Sequence, residues 1–310
     1  MQVLTSLNKL WLFIAVLSLG SCIPEELPVE AYDRGDLETG GLDMGERFSK
    51  IVFYSLSEQK VVDECELKDW DLYIGEENIR MNPSRFMSAA ELSETDLFNV
   101  EDTSGMDFQF DPSSGLAPFA LQSNAKVYAL DLGLDWDGTH LGFMCIRITE
   151  KGNGLFIELI NSEGEKLEAE VERGTYYSLQ RMEKFDLILP SDYDLMFTRY
   201  AHYFNVEEVH YLVSGALLGA STTALQFDDR DFESIDLKFF EENKESMSTQ
   251  MDIIGYDWKL YDFDAGSYST VDKRSYLIED DKGFIYKLRF TSYYNSEGKS
   301  GHPSFEYQLL

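Results

Sequence analysis

The strongest constraint on the fold of this 310-residue chain is its punctuation from Phe48 onward. Short runs rich in Val, Ile, Tyr and Phe are cut by turns containing Gly, Asp, Asn or Pro. The runs include Ile51 to Leu56, Lys126 to Leu132, Gly142 to Thr149, Leu155 to Ile160, Tyr211 to Leu217, Ser275 to Ile278 and Phe284 to Thr291. Between such runs stand Asp137-Gly138, Asn153-Gly154, Glu163-Gly164, Lys282-Gly283 and Glu297-Gly298. β-Branched and aromatic residues fit a pleated, half-buried surface, and glycine supplies the positive φ of tight hairpin turns. Few segments sustain a helical period; Phe232 to Lys244 and Ala89 to Leu97 are the two that could form short helices. The expected fold is mainly β.

The chain also repeats itself. Tyr54, Ser55 and Leu56 return as Tyr177, Ser178 and Leu179, and Asp69-Trp70-Asp71-Leu72 returns as Asp192-Tyr193-Asp194-Leu195. Asp63 and Asp186 keep the same offset of 123 residues. A common offset for separate clusters points to an internal repeat. The expectation is two β-rich lobes, 46–168 and 169–310, packed as one body.

The N-terminus carries a different signal. Lys9 precedes the apolar stretch Leu10 to Gly20, which is shorter than the roughly 20 residues a membrane span needs. Leu19-Gly20-Ser21-Cys22 then reads as a lipobox, with residues 1–21 a signal peptide and the Cys22 thiol the lipidation site. A plain signal peptide with a chance cysteine is the alternative. Multiple acyl chains, at about 0.8 kcal/mol per buried CH₂, hold such a protein firmly on a membrane. Residues 22–45, with Pro24, Pro28, many carboxylates and Gly40-Gly41, read as a disordered, flexible tether. Acidic Glu25 and Glu26 favour the cell-surface side of the membrane over the periplasmic one without deciding between them.

The formal charge is −31, from 57 acidic and 26 basic residues. A surface of that sign repels nucleic acid, which is excluded as a partner. Cys65 and Cys145 could pair in an oxidising envelope or remain buried thiols.

Several strand cores resemble those of the HmuY-like haem-binding lipoproteins of Bacteroidetes. They are Ile51 to Val62 (IVFYSLSEQKVV), Asp69 to Leu72 (DWDL), Tyr193 to Tyr200 (YDLMFTRY) and Tyr211 to Leu218 (YLVSGALL). Ile254 to Lys259 (IGYDWK), Tyr286 to Thr291 (YKLRFT) and Gly298 to Glu306 (GKSGHPSFE) complete the set. The resemblance implies an all-β, lipid-anchored outer-membrane protein. It would take haem in an apolar cleft with two axial His or Met ligands and pass it to a TonB-dependent outer-membrane transporter. The family's second histidine follows a tryptophan resembling Trp258, and here that stretch, Lys259 to Asp264, holds neither His nor Met. Ligation therefore falls to the interval from Tyr200 to Gly255, where His202, His210, Met247 and Met251 stand.

Each candidate has a plainer alternative. His202 and His210 would bracket an iron only if they meet across a hairpin, and otherwise are partly exposed rings. Met251 is either a thioether ligand or core filling. Asp135, Asp137 and Gly138 lack the outer ligands of a calcium loop and read as a β-turn. Trp70, Trp136 and Trp258 read as core anchors more than ligand platforms. No G-x-S-x-G, H-E-x-x-H, phosphate loop or C-x-x-C occurs, so no enzymatic activity is expected. A module for a glycan or other nutrient, and a structural or interaction lipoprotein, remain the alternatives to haem capture.

Overall fold

The computed structural model describes residues 35–310; Cys22, the signal segment and the first part of the tether lie outside them. The described residues are mainly β, arranged as antiparallel sheets. One five-stranded sheet runs in the order β1 (Glu38–Gly41), β20 (Ser300–Leu309), β19 (Ile285–Tyr294), β18 (Ser275–Glu279) and β15 (Thr223–Phe227). It packs on a four-stranded sheet of β14 (Val209–Leu218), β13 (Leu195–Phe204), β2 (Lys50–Ser55) and β3 (Lys60–Glu66). Val52, Tyr54, Phe197, Trp258, Phe290 and Phe305 fill the space between them.

A second pair of sheets repeats this plan. One is β10 (Lys166–Glu172), β9 (Gly154–Ile160), β8 (Phe143–Lys151), β7 (Asn124–Asp131) and β6 (Ser88–Glu91). The other is β12 (Glu183–Phe185), β11 (Thr175–Ser178), β4 (Leu72–Ile74) and β5 (Ile79–Met81). Leu72, Ile74, Leu130, Ile146, Ile157 and Leu179 form their core. Each such side chain contributes about 1.5–3 kcal/mol on burial. A third cluster, with Ile51, Phe53, Trp70, Tyr176, Tyr193 and Met196, joins the two sandwiches. That explains the unbroken apolar run of β2. Val52 and Tyr54 enter one core while Ile51 and Phe53 enter the other, so both faces of the strand are buried.

The halves of the chain exchange strands. β2 pairs with β13 in the register Tyr54↔Leu195, Phe53↔Met196 and Val52↔Phe197. β11 pairs with β4 in the register Tyr177↔Leu72, Tyr176↔Tyr73 and Thr175↔Ile74. Every residue in the second set is 123 positions from its counterpart in the first. The aspartates follow suit: Leu56 N donates to Asp194 Oδ2 at 2.6 Å, and Leu179 N to Asp71 Oδ2 at 2.6 Å. The rings do likewise, with Phe53 4.7 Å from Tyr193 and Trp70 4.9 Å from Tyr176. Position 168 therefore does not separate the sheets, because each half lends strands to the other.

Two local expectations are corrected. Residues 38–41, read as tether, form β1 on the edge of the C-terminal sheet, and Met44 is fully buried. An edge strand held by backbone hydrogen bonds needs little apolar sequence. It does need Gly40, where a Cβ would lie 2.3 Å from the Phe305 ring. Ala89 to Leu97 is not helical: Ala89 and Ala90 pair with Leu130 and Ala129 in β6, and sheet burial overrides alanine's helix propensity. Around Phe232 to Lys244 a short helix does form, α1 (Leu237–Asn243), capped by the Asp236 carboxylate on Phe239 N at 2.9 Å. Asp135 to His140 is a turn, with Gly138 N donating to Asp135 O. Trp70 and Trp258 are core residues. Cys65 and Cys145 are both buried and unpaired.

Candidate functional site

The long β13–β14 hairpin carries both candidate histidines. Its register pairs His202 with Tyr211 and Tyr203 with His210. Directly opposed residues share a face and successive residues alternate. The two imidazoles therefore point to opposite faces of the ribbon and do not bracket one iron. Their surroundings differ accordingly. His202 packs against Tyr256 at 4.9 Å and Phe204 at 5.0 Å, and its buried Nδ1 has no hydrogen-bond partner. His210 stacks on Phe110 at 4.2 Å and touches Tyr203. Burial, and then His202, push the His210 pKa down.

Met251 opens a short 3₁₀ turn (Met251–Ile253) that lies along β14. Its thioether forms part of the wall of a cavity of about 70 Å³ at the junction of the two sandwiches. Trp70, Tyr73, Tyr176, Tyr193, Met196 and Phe119 supply most of the apolar lining. Burial pushes the Tyr176 and Tyr193 phenols far up, so both are neutral hydrogen-bonding groups. Met247, by contrast, packs on the α1 cluster, away from this lining.

Two charged residues reach the cavity, Arg80 of β5 and Asp111. Asp111 is fully engaged: Oδ2 accepts from Met81 N at 2.7 Å and Oδ1 from Ala120 N at 2.8 Å. Burial lifts its pKa to about 6 against the pull of those donors and of Arg80. Arg80 has no carboxylate partner among the described residues. Its Nε reaches Asn78 Oδ1 at 3.3 Å, its Nη1 donates to Met251 Sδ at 3.3 Å, and its guanidinium lies 5.2 Å from the Phe119 ring centre.

The roof of the cavity is the connection 92–123 between β6 and β7, which forms no strand of its own beyond a bridge at Gln109. A connection of that length inside a compact body is commonly functional. It is fastened to the body by the Asp111–Met81 bond, by Ser113 Oγ donating to Asp252 Oδ2 at 2.6 Å, by Met251 N donating to Ser114 O at 2.8 Å and by the Ala89–Gln109 bridge, while Phe119 and Leu121 are buried and Phe110 packs against Phe86 and His210. Gly115, at φ 70°, lies against the Met251 sulfur.

Sequence reading found Met251 but not Arg80, Asp111 or the tyrosine wall. These residues meet only through strand exchange, and no local spacing announces them. Among the described residues no group of three or more His, Cys, Asp or Glu side chains could hold a metal ion, and no helix is long and apolar enough to cross a membrane.

A family model described as HmuY protein matches residues 48–307. No curated protein sequence matches the chain. Among solved structures, an apo HmuY analog from Tannerella forsythia aligns at 9% identity and a TM-score of 0.29, covering 91% of this chain and 99% of that one. A putative HmuY-like heme-binding protein from Bacteroides vulgatus aligns at 13% identity and a TM-score of 0.25, covering 88% and 94%. A putative lipoprotein from Bacteroides fragilis aligns at 11% identity and a TM-score of 0.25, covering 87% and 89%.

Proposed function

The chain belongs to the HmuY family, and from that premise we propose that it captures haem as cargo beneath the 92–123 connection and hands it on. Capture by this route involves no covalent step and no catalysis. The recipient in this reading is a TonB-dependent outer-membrane transporter. The lipobox at Cys22 supports an anchor in the outer membrane, and membership of the HmuY family supports the choice of cargo.

The observation that carries the reading is the Met251 thioether in the wall of a mostly apolar, aromatic cavity. A haem carrier needs an apolar slot and soft or imidazole ligands, and Met251 offers one of them. Neither histidine lines this cavity: His202 packs on Tyr256 and Phe204 with its Nδ1 unpartnered, and His210 stacks on Phe110, which does line it, so both remain candidates for the second ligand.

The cavity holds about 70 Å³, whereas sites for drug-sized molecules enclose about 300–1,000 Å³. Cargo therefore enters only when the 110–115 stretch of the connection moves, breaking the Asp111–Met81, Ser113–Asp252 and Ser114–Met251 bonds. Two of these end on a carboxylate, at about 1.5–3 kcal/mol each, and the third is neutral, at about 0.5–1.5 kcal/mol.

Visible spectra of the haem-loaded chain test the ligand assignment. Met251→Ala is expected to shift the Soret band, and a shift in either His202→Ala or His210→Ala names the second ligand. An unaltered spectrum for Met251→Ala rules out this cavity as the haem site.

The interaction-lipoprotein reading draws on a different observation. Val206 at the β13–β14 tip is 90% exposed and Phe263 at the β16 (Lys259–Asp262) to β17 (Ser267–Thr270) tip is 88% exposed. Each is a single exposed side chain on a separate hairpin, so this reading stays second to haem capture.

A further inference from the structure

Arg80 is spent in an unusual way. The chain carries 57 carboxylates against 26 basic side chains, yet this guanidinium, at the wall of an apolar cavity, has no ion pair among the described residues. One of its donors points at a thioether, Met251 Sδ, at 3.3 Å. Sulfur of this type is a weak acceptor, whereas a carboxylate takes a guanidinium through two short charge-assisted bonds. The acidic group that lines the same cavity, Asp111, has both oxygens committed to Met81 N and Ala120 N. The cavity thus presents a cation with unused donors beside a masked soft ligand.

We propose that Arg80 is the group that recognises a carboxylate on the incoming cargo, and that by turning to that carboxylate it releases the Met251 thioether for the metal. This rests on the reading of the cavity as a haem site and names what it selects: an apolar metal chelate that also bears a carboxylate. Either feature alone meets half of the site. A metal chelate without a carboxylate finds the sulfur still holding the Arg80 donor. A carboxylate without a metal gains the guanidinium but leaves the thioether with no partner.

The test compares three probes on the full chain in detergent: haem, haem dimethyl ester and metal-free protoporphyrin. Each is titrated into wild type, Arg80→Gln and Arg80→Lys, with absorbance and tryptophan fluorescence as readouts. Haem is expected to bind wild type at least about ten-fold more tightly than its ester, the scale of one charge-assisted hydrogen bond. In Arg80→Gln that ratio is expected to fall toward one, and in Arg80→Lys to recover in part. The ester is also expected to show stronger thioether ligation in Arg80→Gln than in wild type, because the sulfur is no longer held. Wild type needs no substitution to give the first comparison, so a poorly folded variant does not remove the test. Equal binding of haem and its ester by wild type overturns the proposal while leaving haem capture intact. A ratio that persists in Arg80→Gln also overturns it. No saturable binding of either iron probe defeats the haem reading, and this proposal with it.

Discussion

Asp194 and Asp71 occupy reciprocal places, each capping a backbone N–H of the other half, but their electrostatic settings are opposite. Asp71 is paired with Arg85, both side chains fully buried. Asp194 has no cationic partner among the described residues; it is 6% exposed, and burial lifts its pKa to about 6, with the Leu56 N–H opposing the rise and Asp280 adding to it. The folded-state value lies above the ordinary 3.8, so the folded chain binds this proton more readily than the unfolded chain. The resulting stability is fully present below pH 3.8 and is lost as pH rises through about 6. At about 1.4 kcal/mol per pH unit, the gap amounts to at most about 3 kcal/mol. Asp194→Asn keeps an oxygen for Leu56 N but carries no charge. The variant is therefore expected to gain on wild type between pH 4 and pH 7, by up to about 3 kcal/mol. Urea unfolding followed by tryptophan fluorescence at pH 4.5, 6 and 7.5 measures this. A difference that stays constant across the three pH values, or grows in the opposite direction, refutes the argument.

Other perturbations probe separate parts of the structure. Arg85→Met leaves the buried Asp71 carboxylate uncompensated and is expected to cost about 3–5 kcal/mol in urea unfolding, much of it recovered in Asp71→Asn/Arg85→Met; a loss below 1 kcal/mol contradicts the pairing. Gly115→Ala places a Cβ 2.4 Å from Met251 Sδ at φ 70°, and is expected to weaken haem binding several-fold while thermal unfolding shifts little. Unchanged affinity would detach Gly115 from the site. Burial pushes the Cys65 and Cys145 thiols up, so neither should react with a thiol reagent until the chain unfolds. Rapid native labelling of either would contradict their burial.

Much of the sheet content was legible because both signals, apolar runs and glycine turns, are local. The run Leu155 to Ile160 became β9, Tyr211 to Leu217 lies in β14, and Lys126 to Leu132 overlaps β7 closely. β1 escaped because an edge strand can be polar, and Ala89 to Leu97 misled because sheet burial outweighs alanine's helical preference. The histidine pair illustrates a finer limit. Whether His202 and His210 share a face depends on the length of the turn between β13 and β14, and one residue changes the answer. The observed pairing of His202 with Tyr211 settles it against them. Arg80, Asp111 and the tyrosine wall were illegible for a different reason. Arg80 lies 171 positions from Met251, and their meeting depends on strands exchanged between halves.

The central claim is that the body binds haem once, at the cavity carrying Met251. A titration of the full chain with haem, followed at the Soret band, tests it most directly. The account predicts a sharpened band that saturates at one haem per chain in wild type, with affinity lowered in Met251→Ala. A non-saturating response in wild type, or equal affinity in Met251→Ala, would contradict it.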